Sequence, residues 1–380
     1  MAIYKLFPHK DATLYSLYPD MNTGLDAITS VTNLNIAIGS FPQVSRFLTE
    51  FSQEEIKDVV DNKIKEKKWD VSLKSYIATA QGIVESTDLE VHPVGQYWHN
   101  GTGMFLDIPQ TTDGASWYSP YHKNGGGWVT GGFDRNNPNG VSNSIISYTD
   151  FNYVGAGGGN WFEGYKVTQS FDTRSTKDLD VPVKNIVEKW HKGDMSNYGF
   201  IMKWEDSVEW NSNKQIQPIM QFYSVDTNTI YPPQLEFKWE DFETVLTGSA
   251  TSSILETTNI IGALSENPGE FLPESIHRFR FNVAEKYPKK TYQTSSFFTG
   301  VNYLPTSSQY AVKDLDTNEF VINFDDTYTK LSSDSEGNYF DLYMNGLEPE
   351  RYYKILVKTT IKNSTMVLDD NYYFKVVNGF

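Results

Sequence analysis

Short runs of alternating apolar and polar residues recur along this chain of 380 residues and constrain its fold more than any other feature. TLYSLY, NLNIAI and SRFLTEF are each bounded by turn residues, and in WDVSLK the side chains of Trp69, Val71 and Leu73 share one face. Apolar residues at every second position are typical of a β-strand with one buried face. Because the chain also has 24 Tyr and 23 Phe, which favour strands, the sequence predicts an all-β protein.

Two stretches have helical spacing instead. In SQEEIKDVVDNKIKEKK, Ser52 and Glu55 form a capping box before apolar residues that recur every three or four positions. In VPVKNIVEKWHKG, the apolar face includes Ile186 and Trp190, and Gly193 is placed to end the helix. The sequence therefore predicts two short helices within the β-rich chain.

The composition excludes several classes of partner and site. The formal net charge of −16 repels phosphate backbones, so we expect no nucleic-acid partner. The absence of cysteine excludes disulfides, thiolate metal sites and a cysteine nucleophile. The first residues, MAIYKLFPHKD, lack the apolar core of a signal peptide, and no run of about 18 apolar residues predicts a membrane span. We expect no membrane partner.

The distribution of strand patterns suggests two domains. Residues 1–240 hold most of the strand patterns and both helices, and we expect them to form a jelly-roll β-sandwich. Residues 241–275 are rich in Ser, Thr and Gly and poor in aromatic residues, which indicates a connector or extended arm. Residues 276–380 contain several alternating strands and are expected to form a smaller, Ig-like sandwich.

Motifs for catalysis are weak. None of the six histidines lies in an HExxH or HxH pattern, GxSxG does not occur, and the glycine run at 155–160 lacks the GKS or GKT ending of a phosphate loop. Asp107 and Asp113, which flank the tryptophan-rich region, are the only carboxylates that the pattern suggests for glycoside cleavage. We therefore expect a protein that is not an enzyme and has no cofactor.

Glycan binding is the sharper alternative for the segment from 95 to 165. Aromatic rings stack on the apolar face of a pyranose ring, while nearby polar groups bond its hydroxyls. The candidate residues are Trp98, Trp117, Tyr118, Tyr121 and Trp128. The competing interpretation is that these rings fix long loops onto the sandwich.

Two runs of hard oxygen ligands could hold calcium. One run contains Asp20, Asn22 and Asp26, and the other, DRNNPNG, contains Asp134 and Asn136. The second run lacks the terminal Glu of an EF-hand loop. Turn formation alone explains both runs, so calcium is not required.

Several segments, taken in order, resemble the DNRLRE-type jelly-roll modules, which are grouped with carbohydrate-binding modules. DATLYSLYPDMNTGLDAI is similar to the first strand of that family, and YIATAQG is similar to its long central strand. GTGMFLDIPQTTDGASW, VPVKNIVEKWHKGDMSNYGFIMK and FYSVDTNTIYPPQLEFKW resemble later segments in the same order. The resemblance spans about 60% of the chain. It implies a two-sheet jelly roll that binds polysaccharide or serves as an adhesive part of a larger protein.

The C-terminal residues resemble the end of an immunoglobulin or fibronectin-like domain. In GNYFDLYMNGLEPERYYKILVK, the resemblance is carried by Leu347, Pro349 and Tyr353. The combination of an acidic, cysteine-free β chain, a jelly roll, a connector and an Ig-like end also resembles virion structural proteins of tailed bacteriophages.

The function expected from these features is a non-enzymatic component of a bacteriophage virion, located in the tail, baseplate, neck or capsid surface. Its partners would be other virion proteins and copies of itself, with the connector against a neighbouring subunit. The alternative is a carbohydrate-binding or adhesion module that recognises a host surface glycan. A polysaccharide-degrading enzyme is a third interpretation.

Overall fold

A computed structural model describes residues 2–34, 43–83, 86–121, 127–128, 157–174, 178–209, 218–247, 253–288 and 300–378 of the chain. Strands dominate these residues, which form several sheets and three short α-helices. The predicted all-β fold class is confirmed. Within these ranges, no helix is long and apolar enough to cross a membrane.

The first twelve strands cover the chain up to residue 239. They are β1 (Ala2–Leu6), β2 (Pro8–Tyr15), β3 (Ile28–Leu34), β4 (Gln43–Phe51), β5 (Trp69–Ser75), β6 (Ile77–Gln81), β7 (Thr87–Pro93), β8 (Val167–Phe171), β9 (Leu179–Pro182), β10 (Phe200–Trp204), β11 (Ile219–Tyr223) and β12 (Gln234–Trp239).

Ten further strands follow. They are β13 (Ile260–Ser265), β14 (Glu270–Phe271), β15 (Ile276–Glu285), β16 (Gln309–Asp314), β17 (Phe320–Ile322), β18 (Ser332–Asp334), β19 (Gly337–Tyr343), β20 (Arg351–Ile361), β21 (Ser364–Leu368) and β22 (Tyr373–Val376).

The two predicted helices are confirmed. Helix α1 (Gln53–Asp58) begins at Ser52, whose hydroxyl accepts a hydrogen bond from the Glu55 backbone N–H, and it continues as a π-helical turn (Val59–Ile64). Helix α2 (Lys184–Lys192) ends at Gly193, whose φ of 76° lies in the left-handed region that glycine adopts without strain. A third helix, α3 (Asp206–Glu209), is a single turn.

The chain divides into two compact units. The larger unit comprises Leu6–Lys63 and Val71–Glu236, and the smaller unit comprises Met1–Lys5, Ile64–Asp70 and Phe237–Phe380. The segment 241–275, expected to be a connector, contributes β13 and β14 to the sheets of the smaller unit. The reason lies in its apolar residues, because Ile260 and Phe271 are buried in the core of that unit.

The main sheet of the larger unit has the strand order β6-β11-β3-β4-β10-β7-β8, and β2 also pairs with β4. Its ladders are antiparallel, and most neighbours are distant in sequence, as in Greek-key sandwiches. On the edge of β4 away from β2, the partner changes from β3 at residues 43–45 to β10 at residues 47–49. The sheet therefore forks and curls at β4. A further sheet has the order β1-β12-β5-β9.

The smaller unit is an Ig-like sandwich with sheets ordered β13-β15-β19-β18 and β14-β22-β20-β16-β17. The two sheets meet through aromatic pairs, for example Tyr310 and Phe340 with ring centroids 4.2 Å apart. The Tyr353 hydroxyl, near the start of β20, donates to the Glu348 carbonyl oxygen at 2.9 Å, which is the tyrosine corner of such domains. Leu347 and Tyr353, two of the three residues that carried the Ig-like resemblance, both belong to the buried core of this unit.

Candidate functional site

The tryptophan-rich segment forms a layer of loops over one face of the main sheet. We call the described residues 95–121, 127–128 and 157–162 the loop layer. It covers alternate residues of β2, β4 and β10, and together they make one buried cluster: Ala12, Leu14, Val44, Leu48, Val94, Trp98, Ala115, Trp117, Trp128, Trp161 and Ile201. The loop layer is therefore part of the hydrophobic core of the larger unit.

Three of the five aromatic residues predicted to bind glycan lie inside this core. The exposed fractions of Trp98, Trp117 and Trp128 are 0%, 4% and 1%. The indole N–H of Trp98 donates to the Tyr198 carbonyl oxygen at 2.9 Å, and that of Trp128 donates to the Ser116 carbonyl oxygen at 3.0 Å. A buried ring offers no face to a sugar, so only the half-buried Tyr118 and Tyr121 of this set reach the surface.

An ion pair that no local sequence pattern predicts lies beneath the loop layer. Arg46 on β4 and Glu209 on α3 are both buried, and two N–O contacts of 2.7 Å join them. Arg46 also donates through Nη1 to the Gly158 carbonyl oxygen at 2.7 Å. The guanidinium lies 4.8 Å from the ring centroid of Trp161. One side chain thus links the central strand, a helix and the loop layer.

Lys203 and Glu90 extend this network across β10 and β7. The Lys203 ammonium lies 3.2 Å from Glu90 and 2.8 Å from Asp206, and the Lys166 ammonium lies 2.7 Å from Glu90. Burial opposes ionisation of Glu90, but the hydrogen bond from His92 and the charge of Lys203 outweigh it and hold the pKa of Glu90 far below its usual range. Burial lowers the pKa of His92. These opposite charges compensate one another, so no single charge of the network is left buried without a counter-charge.

Asn22, a predicted calcium ligand, uses its side-chain amide to hold loops together. Its Nδ2 donates to the carbonyl oxygens of Asn100 at 2.7 Å and Ala115 at 2.9 Å. Its Oδ1 accepts from the N–H groups of Gly103 at 2.8 Å and Gly24 at 3.3 Å. The amide has two donors and two acceptor lone pairs, so no lone pair is left for a cation.

Of the other predicted calcium ligands, two lie near Asn22 in the chain and two lie outside the described residues. Asp20 is exposed on its turn, whereas Asp26 accepts a hydrogen bond from the Phe105 N–H at 2.9 Å. Asp134 and Asn136 lie outside the described residues. Among the residues that are described, no group of three or more His, Cys, Asp or Glu side chains could hold a metal ion.

The predicted carboxylate pair shapes the tip of a loop. Asp107 accepts a hydrogen bond from the Met104 N–H at 2.7 Å. Asp113 accepts from the Thr102 N–H at 2.8 Å and from the Thr102 hydroxyl at 2.7 Å. These bonds fix the backbone of residues 102–107, and this is turn chemistry.

An open cleft of about 440 Å³ lies beside this loop tip. Its floor is formed by residues of β3, β6 and β11. Its lining residues come from five separate segments, so no local sequence pattern marks the cleft. The lining residues are Tyr15, Asp26, Ala27, Ile28, Ser30, Thr32, Gln81, Phe105, Ile219 and Gln221.

Burial raises the pKa of two titratable groups of the cleft. Burial raises the pKa of Tyr15 to about 12, so its hydroxyl stays a hydrogen-bond donor. Burial also raises the pKa of Asp26, and the nearby charge of Asp107 acts in the same direction, while the hydrogen bond from Phe105 opposes both. The cleft therefore combines aromatic, amide, hydroxyl and carboxyl groups.

Comparisons with known proteins add little. No protein-family model matches the chain, the DNRLRE-type module included, and no curated protein matches it. One solved structure, a DUF4785 family protein from Legionella pneumophila, is similar at 9% identity and a TM-score of 0.18, over 82% of this chain and 65% of that one. Another, the tripod from the baseplate of bacteriophage Tuc2009, is similar at 7% identity and a TM-score of 0.16, over 100% of this chain and 98% of that one. The chain spans about two thirds of the DUF4785 protein, and both scores are too low to indicate a common fold.

Proposed function

We propose that this protein is a non-enzymatic structural component of a bacteriophage virion, located in the tail, baseplate, neck or capsid surface, and that its copies associate through the Ig-like unit. The observation that carries the proposal is an open strand edge. Strand β21 pairs with β20 on one side, and no strand among the described residues pairs with its other side.

The sequence of β21, STMVL, lacks the features that usually protect an edge. It contains no charged residue and no proline, and Val367 is 48% exposed. Edge strands of this kind are templates for pairing with another chain. Met366 and Leu368 pack against the core of the smaller unit, so the strand is held in place for such pairing.

The hairpin geometry shows which backbone groups are available. Ile361 and Ser364 face each other across a two-residue loop whose φ angles, 49° and 64°, are typical of a type I′ turn. Bonds to β20 then recur at every second residue, from Ser364 to Leu368. The N–H and C=O groups of Thr365 and Val367 therefore face away from β20.

The open edge of β21 fits a second copy of the same strand. Antiparallel pairing about Met366 places Thr365 opposite Val367 of the other copy, and the outward N–H and C=O groups of these two residues then pair with each other. A two-fold axis through Met366 joins the two sheets into one continuous sheet.

The non-enzymatic part of the proposal is supported by the larger unit. Four of its buried charged side chains, Arg46, Glu90, Lys203 and Glu209, are used in ion pairs with one another. The carboxylates of Asp107 and Asp113 accept backbone hydrogen bonds. These groups support a rigid scaffold, which suits a particle component.

Sedimentation velocity of the purified chain over a range of concentrations tests the association. We expect dimers or larger assemblies for the wild type and a shift to monomer for Val367→Lys, which puts a charge on the edge, and Thr365→Pro, which removes an outward N–H. Tyr287→Lys, at a site 73% exposed, is the control and should associate like the wild type. A wild type that stays monomeric and is missing from purified particles would refute the proposal.

A further inference from the structure

We propose that the cleft bordered by Tyr15 and Phe105 binds an uncharged oligosaccharide. This goes beyond a structural role, and it assigns binding to a different set of residues from the buried tryptophans. The volume of about 440 Å³ falls within the size range of small-molecule sites. All of its described lining residues lie in the larger unit.

The aromatic side of the cleft suits the C–H face of a pyranose. Phe105 is 44% exposed, and its ring centroid lies 4.8 Å from that of Tyr15 at an interplanar angle of 49°. Tyr18 supports Phe105 from behind at 5.9 Å, in an edge-to-face contact. The two lining rings therefore form an angled apolar platform that is open to water, as stacking on a sugar requires.

The residues next to Phe105 extend this apolar rim. Met104, Leu106 and Ile108 are 48%, 52% and 98% exposed. Contiguous exposed apolar side chains are a feature of ligand-binding grooves and other interaction surfaces. The loop tip would thus cover a ligand seated on β3 and β11.

The opposite side of the cleft presents hydrogen-bonding groups suited to hydroxyls. Gln221 donates through Nε2 to the Ser30 hydroxyl at 3.2 Å, and its carbonyl oxygen is a further hydrogen-bond acceptor. Gln81 is exposed at the neighbouring strand edge. The Asp26 carboxyl uses one oxygen for Phe105, so its second oxygen can accept from a sugar hydroxyl.

The charge of the cleft selects against acidic sugars. Its described lining contains one carboxyl, Asp26, and no Lys, Arg or His. The chain as a whole carries a formal charge of −16. Uronates and sulfated sugars would meet repulsion without a cation to pair with, whereas a neutral glycan meets none.

The loop tip is pre-organised for binding. Three side chains hold its backbone N–H groups: Asn22 holds Gly103, Asp107 holds Met104, and Asp26 holds Phe105. A loop fixed before the ligand arrives loses little conformational freedom on binding, so more of the contact energy appears as affinity.

Isothermal titration calorimetry on the full chain, with cellohexaose, maltohexaose and yeast mannan as uncharged probes and alginate oligomers as an acidic probe, tests the proposal. We expect at least one uncharged probe to bind and alginate not to bind. Phe105→Ala should weaken the affinity by about tenfold or more, because it removes one face of the platform. Asp26→Asn keeps an acceptor for the Phe105 N–H and should weaken the affinity less than Phe105→Ala does.

Tyr287→Ala, which removes an exposed ring outside the cleft, is the matched control and should leave the affinity unchanged. Thermal unfolding of each variant shows whether the fold is retained. Binding that survives Phe105→Ala, a preference for alginate, or no binding of any uncharged probe would overturn the proposal. The titration measures glycan binding by the purified chain, whereas the proposed structural role is tested by self-association and by presence in particles. A negative result in one experiment therefore does not decide the other.

Discussion

Arg46 and Glu209 form a buried, bidentate ion pair although 163 residues separate them in the chain. Both N–O distances are 2.7 Å, and the exposed fractions are 1% and 0%. The pair lies where β4 exchanges β3 for β10 as its neighbour, and Arg46 also holds the carbonyl of Gly158. This pair therefore links the fork in the sheet to the loops that cover it.

Removing one partner of this pair should be more harmful than removing both. Glu209→Gln leaves a buried guanidinium without its counter-charge, and we expect it to lower the free energy of unfolding by about 3–5 kcal/mol. The double variant Arg46→Met with Glu209→Met should lose less of the free energy of unfolding than Glu209→Gln alone. Chemical denaturation monitored by tryptophan fluorescence measures the free energy of unfolding of each variant. Equal losses in the single and double variants would show that the unpaired guanidinium is not the source of the destabilisation.

Asp11 should make stability fall as pH rises. Burial raises the pKa of Asp11 to about 8, from an ordinary value of 3.8. Between these values the folded state keeps a proton that the unfolded state releases, so this group lowers the free energy of unfolding by about 1.4 kcal/mol for each pH unit.

Asp11→Asn removes this titration and keeps an acceptor for the Val225 N–H, which now donates to Asp11 at 2.7 Å. The variant should match the wild type near pH 4 and become progressively more stable than it up to pH 8. Denaturation curves at several pH values give the difference. Parallel stability profiles for the two proteins would show that Asp11 does not titrate in this window.

Asn22→Ala should loosen the loop layer. It removes four hydrogen bonds and leaves the carbonyls of Asn100 and Ala115 without their donor, so we expect a loss of about 2 kcal/mol or more in the free energy of unfolding. Thermal unfolding with calcium and with EDTA tests the calcium prediction at the same turn. A calcium-dependent rise in Tm that Asn22→Ala abolishes would show that a cation binds there.

Local signals in the sequence predicted local structure well. The Ser52 cap and the Gly193 helix end each depend on residues a few positions apart, and both are present. The ion pair of Arg46 depends on a fold that brings distant segments together, and the cleft depends on five segments. Whether Trp98 points to water or to the core is likewise a property of the tertiary structure, since an aromatic residue suits both.

Paired charges on the open edge of β21 test the symmetry of the proposed association. In the antiparallel register about Met366, Thr365 of one copy faces Val367 of the other. Thr365→Lys and Val367→Glu each bury a charge without a partner at two positions of the two-fold interface. Each single variant should dissociate more readily than the wild type, by about tenfold in Kd if each position loses about 0.7 kcal/mol. The double variant places opposite charges face to face and should recover most of the lost affinity in sedimentation equilibrium. Since a heterologous contact would not pair these two positions, a double variant that sums the two single losses would exclude the two-fold arrangement.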